Sequence, residues 1–106
     1  MALDKYVTEM LAKARRFAEM GSIQPMIYSL QKAEEYADMT GCEISAGREK
    51  IEALGYDNAI RMELQTAEEF VRTGRYFESS LALAAIYAKK RNRNLSEEIE
   101  AIRNSG

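Results

Sequence analysis

Residues 14–30 read ARRFAEMGSIQPMIYSL, and this stretch decides the architecture. Phe17 sits one helical turn before Gly21, Ser22 follows at once, and Pro25 comes three residues later. Upstream, Leu3, Val7, Met10, Ala14 and Phe17 recur at steps of four and three, with Tyr6, Leu11 and Ala18 widening the stripe. That spacing is one face of a helix and excludes a strand. Asp4 is placed to cap the helix or charge its first turn, and Gly21 to stop it in the left-handed conformation. Ser22 then caps a second helix, in whose first turn the missing N–H of Pro25 costs little. Ile23, Met26 or Ile27, Leu30, Ala33 and Ala37 form the buried stripe of that helix, and Gly41 ends it. So short a link makes the pair an antiparallel hairpin over about residues 3–41.

The same punctuation continues. Ser45 is placed to cap a short helix over about 45–55, with Ile51 and Leu54 inward and Gly55 as its stop. Tyr56 to Asn58 reads as a turn in which Asp57 caps the next helix. A second hairpin covers about 58–90, with Gly74 at its reversal. Its first stripe is Ile60, Leu64, Ala67 and Val71, with Phe70 beside it. Its second helix carries Phe77, Leu81, Ala84 and Ala88, broadened by Leu83, Ile86 and Tyr87. So wide an apolar arc marks a central helix. A last helix over about 95–104 docks through Leu95, Ile99 and Ile102, with Asn94 and Glu97 spaced as a capping pair. The expected fold is all-α: one helical domain over 1–106, with five to six helices and two antiparallel hairpins packed as a small bundle or an open stack.

The two hairpins match each other. Laid over residues 67–83, an offset of 53, residues 14–30 bring Ala14 onto Ala67, Phe17 onto Phe70, Gly21 onto Gly74 and Leu30 onto Leu83. Both read A-x-x-F-x-x-x-G before a second helix. Two readings stand: a true duplication, or two hairpins obeying one set of packing rules. If Phe17 and Phe70 are buried at the hairpin ends, truncating either to alanine costs about 3–5 kcal/mol.

Each hairpin resembles a degenerate tetratricopeptide unit, through Gly21, Ile23, Met26, Leu30 and Ala33 in one and Gly74, Tyr76, Ser79, Leu83 and Ile86 in the other. The family repeat is about 34 residues long, with a tryptophan and a closing proline that this chain lacks. The resemblance implies a stack of hairpins that binds proteins or peptides in a groove, and it carries over no ligand-contact residue.

Composition narrows the chemistry. Hydrophobic residues make up 46% of the 106, and the net charge is only −2, so the chain can bury a core and disorder is not expected. No run of about eighteen apolar residues exists, so no membrane partner is expected. Asp4, Lys5 and Glu9 interrupt any leading signal core, and the cytoplasm is the expected compartment. A lone cysteine excludes an internal disulfide, and the lack of histidine removes the commonest general base and zinc ligand. Cys42, beside Glu43, reads as an inert thiol. The acid pairs Glu34/Glu35, Glu68/Glu69 and Glu97/Glu98 point about 100° apart on a helix, so they read as solvated faces. No phosphate-loop or nucleophile-elbow motif is present. No catalytic residue, metal ligand or cofactor is assigned, and the chain reads as a non-enzymatic protein-interaction or self-associating module.

Two groups of side chains are candidates. Six tyrosines and six methionines suit an adaptable contact surface, and Tyr28, Tyr36 and Tyr76 are the protein-interaction candidates, with a protein, a peptide or a second copy as partner. Core or boundary packing is the competing reading. Lys89, Lys90, Arg91 and Arg93 put four cations in five residues. They are the nucleic-acid candidates of an alternative reading, in which Tyr87 adds a stacking surface. Cations near a helix C-terminus also simply complement its dipole.

Overall fold

A computed structural model describes residues 2–105, with side chains from residue 5 onward, so the expected roles of Leu3 and Asp4 lie outside the described side chains. The described residues form helices and no strands: α1 (Ala2–Glu19), α2 (Ile23–Thr40), α3 (Ser45–Thr73), α4 (Glu78–Lys90) and α5 (Ser96–Arg103). Contacts gather them into two compact units, residues 1–55 and 56–106, and α3 contributes to both.

The first unit is the α1–α2 hairpin with the opening turns of α3. Gly21 stops α1 at φ 68°. The amide of Gly21 bonds the Ala18 carbonyl and that of Ser22 the Phe17 carbonyl (3.0 and 2.9 Å), the paired closing bonds of a left-handed helix stop. Ser22 holds the N-cap position of α2, but its hydroxyl makes no capping bond. Val7, Ala33, Ala37 and Ile44 are buried together, with Met10, Leu11 and Tyr36 packed on them. Met26 and Leu30 are fully buried.

The second unit repeats this plan. The later part of α3 stands for α1, α4 for α2, and α5 for the start of α3. One core cluster is Ile60, Ala84, Ala88 and Leu95; another is Ala67, Leu81 and Ile102. Gly74 stops α3 at φ 72°, and the Arg75 amide bonds the Phe70 carbonyl at 2.8 Å, the counterpart of Ser22 and Phe17.

The match has two offsets. Val7 over Ile60, Ala14 over Ala67 and Gly21 over Gly74 keep 53 residues, and all but the glycines are buried. Beyond the turn the offset is 51: Ser29 over Ser80, Leu30 over Leu81, Ala33 over Ala84 and Ala37 over Ala88, every one buried. Helix α4 begins four residues after its glycine and α2 only two, and α4 lacks the first turn of α2. Leu83 and Ile86 therefore do not correspond to Leu30 and Ala33; they are exposed, and Leu81 and Ala84 take those places.

The offset of 51 runs on through the loops. Gly41 (φ 73°) and Asn92 (φ 53°) are both left-handed, and the amides of Cys42 and Arg93 bond the carbonyls of Ala37 and Ala88, each at 2.9 Å. Asparagine tolerates this conformation better than other side-chain-bearing residues. Glu43 then accepts bonds from the Ser45 amide (2.8 Å) and hydroxyl, and Asn94 accepts them from the Ser96 amide and hydroxyl (2.9 and 2.6 Å). The residues two before each helix start thus do the capping, in place of Ser45 or an Asn94–Glu97 pair.

Two expectations are corrected. Gly55 is no stop: α3 runs through Gly55 and Asp57, so five helices stand where up to six were expected. Gly55 is a close-approach glycine, because a Cβ there would lie 2.2 Å from Met26 Sδ and 3.3 Å from Ala18 Cβ. Phe17 and Phe70 are only half-buried, and the Arg75 guanidinium lies over the Phe70 ring at 5.7 Å. Half the burial scales the loss on Phe17→Ala or Phe70→Ala down to about 1.5–2.5 kcal/mol each. Urea denaturation measures it; a loss of about 3 kcal/mol would show that the ring is fully packed.

The caps also give folding a pH dependence. Glu43 is held below its ordinary value of 4.5 by the Ser45 hydroxyl and amide, and Glu78 by its hydrogen bond from Arg103. Carboxyls depressed in the folded chain bind protons more readily when unfolded. Their contribution is present above about pH 4.5 and is lost as pH falls through the lower folded values. Stability should drop on acidification below that point, and less steeply in Glu78→Gln. An unchanged slope in that variant would remove Glu78 from the account.

Candidate protein-interaction surfaces

Tyr28 is 61% exposed on α2, and Lys32 Nζ lies 5.6 Å from its ring centre. Lys32 also meets Glu35 at 3.4 Å. Tyr36, two turns further on, is half-buried. It packs not on Tyr28 but on Tyr6 of α1, with ring centres 4.1 Å apart and planes tilted 57°. The Tyr6 phenol is raised above its ordinary value, first by its hydrogen bond with Tyr36 and then by that phenol's charge. Tyr56 and Tyr87 are the counterpart in the second unit, 5.8 Å apart. Each unit thus pairs a tyrosine of its second helix with one near the start of its first. Tyr36 belongs to this packing, whereas Tyr28 and Tyr76 (73% exposed, in the α3–α4 loop) stand in solvent.

The basic cluster divides in two. Arg91 grips both carboxylate oxygens of Asp57 at 3.0 and 3.4 Å, and Arg93 lies 3.6 Å from the same group. Sequence reasoning placed Asp57 in a turn; in the middle of α3 it faces these arginines. The groups are about two-fifths exposed, so the tie contributes little to stability. Lys89 and Lys90 are exposed in the last turn of α4 and make no ion pair among the described residues.

The surface that sequence reasoning missed is the outer face of α4. Leu83 and Ile86 were expected to broaden a buried stripe. They are 39% and 55% exposed, and Ala82 and Ala85 beside them are exposed too. Between Glu78 and Lys89 this helix carries no charged residue. The corresponding residues of α2, at the offset of 51, are Gln31, Lys32, Glu34 and Glu35. The same helical face is therefore charged in one unit and apolar in the other. The signal for it was present in the sequence, but only at an offset of 51.

No group of three histidine, cysteine or acidic side chains that could hold a metal occurs among the described residues. Cys42 is half-buried, with Thr40 Oγ1 3.3 Å from its sulfur. Glu34 meets Arg48 at 3.4 Å, and Arg48 also holds Glu52 at 2.8 Å. In the second unit Glu78, Ala82, Ala85, Glu100 and Arg103 line a groove of about 290 Å³ between α4 and α5, edged by the ion pair of Arg103 with Glu78 (2.7 Å). Among the described residues no helix is long and apolar enough to cross a membrane. Comparison of the chain with protein-family models, with curated proteins and with solved structures finds no match.

Proposed function

We propose that this chain is a non-enzymatic protein-interaction module that presents the outer face of α4 to its partner. One observation carries the reading: Ala82, Leu83, Ala85 and Ile86 form an exposed, uncharged face where the matching face of α2 bears charges. A helix apolar on both sides keeps one side for the core and has the other available for a partner. The tetratricopeptide-like hairpins and the exposed Tyr28 and Tyr76 are in keeping with such a role. The cytoplasm remains the expected setting. A nucleic-acid role for Lys89, Lys90, Arg91 and Arg93 gains less support, because Arg91 and Arg93 already share Asp57.

Affinity capture from the source cells, with and without nuclease, tests the reading. A discrete protein should survive nuclease, be lost from a chain carrying Leu83→Glu with Ile86→Glu, and persist with Tyr28→Ser. Partners that vanish with nuclease would favour the basic cluster instead. Loss with Tyr28→Ser but not with the α4 changes would move the contact to the tyrosines.

A further inference from the structure

We infer that the outer face of α4 receives an amphipathic helix of another protein, running antiparallel to α4, with acidic residues in its first turn beside Lys89 and Lys90. The inference rests on the interaction-module reading and names the partner's chemistry.

Shape argues for a helix. Ser79, Ala82, Leu83, Ile86, Lys89 and Lys90 recur at steps of three and four, so they form one stripe along α4. Ile86 and Leu83 stand up as knobs, and Ala82 and Ala85 beside them are small enough for a second helix axis to come close. A helix with apolar residues at similar spacing fills such a stripe along its whole length.

Charge argues for acids, and for where they sit. At the N-terminal end of the stripe, Glu78 is already engaged by Arg103 through two hydrogen bonds of 3.0 and 2.7 Å. At the other end, Arg91 and Arg93 share the one carboxylate of Asp57, while Lys89 and Lys90 have no ion pair among the described residues. The stripe therefore ends in unanswered positive charge. An antiparallel helix brings its N-terminus to this end. Carboxylates in its first turn are favoured by its own dipole and by the lysines together. A second copy fits less well. Antiparallel α4 helices would offer Lys89 and Lys90 only a Glu78 that Arg103 holds, and parallel ones would set lysines against lysines.

The test uses the full chain and three fluorescent designed helical peptides of equal length, about eighteen residues each. All have leucines at steps of three and four; one carries three glutamates in its first turn, one carries them in its last turn, and one has lysines in place of the first-turn glutamates. Fluorescence anisotropy should give binding of the first at least about tenfold tighter than the other two, weakening as salt rises. Leu83→Glu with Ile86→Glu should abolish it, and Lys89→Glu with Lys90→Glu should remove the preference for first-turn acids. These positions are exposed, and an unchanged urea midpoint checks that each variant is folded.

Equal binding of all three peptides, or none at about millimolar chain, overturns the inference. So does a dimer in sedimentation that Leu83→Glu with Ile86→Glu dissociates, which would make a second copy the occupant. Binding to phosphatidylserine vesicles with the same sensitivity overturns it too, in favour of a lipid surface. If the peptides fail while a photo-cross-linker at position 86 still captures a protein in intact cells, the partner chemistry is wrong and the module reading survives. If both fail, both fall.

Discussion

Leu81→Ala should destabilise the chain by about 3–5 kcal/mol, and Leu83→Ala, two residues away on the same helix, by less than about 0.5 kcal/mol. Leu81 is 1% exposed, between Ala67 and Ile102 in the core of the second unit, whereas Leu83 points to solvent. Leu30→Ala should match Leu81→Ala, because Leu30 is equally buried at the corresponding place in the first unit. The contrast tests the register of the internal repeat. An offset of 53 throughout makes Leu83 the partner of Leu30 and predicts a large loss there; an offset of 51 beyond the glycine predicts the loss at Leu81. Chemical denaturation of the three variants decides between them. A large loss at Leu83 with little at Leu81 would mean α4 is rotated by more than half a turn. Domains of this size are stable by about 5–15 kcal/mol, so the larger effect is visible without extrapolation.

The helices and reversals were legible because their signals are local. Stripes at steps of three and four fix which face is apolar, and Gly21, Gly41 and Gly74 all sit where a left-handed residue stops a helix. The core face of α4 was legible as well, in Leu81, Ala84 and Ala88, but the width of its buried arc was not. ESSLALAAIYAKK is apolar nearly all round, so periodicity cannot say where the buried arc ends. The answer lay in its likeness to α2, where charges mark the outer face. A shift of two residues rotates a helix by about 200°, enough to exchange inside for outside. An alignment anchored on Gly21 and Gly74 thus put Leu83 and Ile86 in the core.

Tyr28 and Tyr76 are exposed, and only the pairing of Tyr36 was hidden, for a related reason. Helical phase distinguishes an exposed Tyr28 from a half-buried Tyr36, but not the neighbour that Tyr36 will find. That neighbour, Tyr6, lies on another helix thirty residues away. Asp57 is the same case: its partners Arg91 and Arg93 are 34 and 36 positions on, and nothing around Asp57 announces them. Pairings between helices are set by packing, and that of Asp57 follows from α3 passing straight through the expected turn.

That uninterrupted passage carries the second large effect. Alanine at Gly55 should destabilise the chain by about 2 kcal/mol, while alanine at Gly47, in the same helix, should stabilise it by about 0.5–1 kcal/mol. Inside a helix, glycine to alanine normally gains, because alanine loses less backbone freedom on folding. Gly47 has nothing within 4 Å of a new Cβ, so only that gain operates. At Gly55 the new Cβ would sit 2.2 Å from Met26 Sδ, and Met26 is fully buried and cannot swing into solvent. The clash should therefore exceed the gain. Made in a Met26→Ala chain, Gly55→Ala should lose its penalty and turn neutral or stabilising, because the nearest remaining contact is Ala18 Cβ at 3.3 Å. If Gly55→Ala stabilises the unaltered chain as Gly47→Ala does, α2 and α3 do not approach so closely.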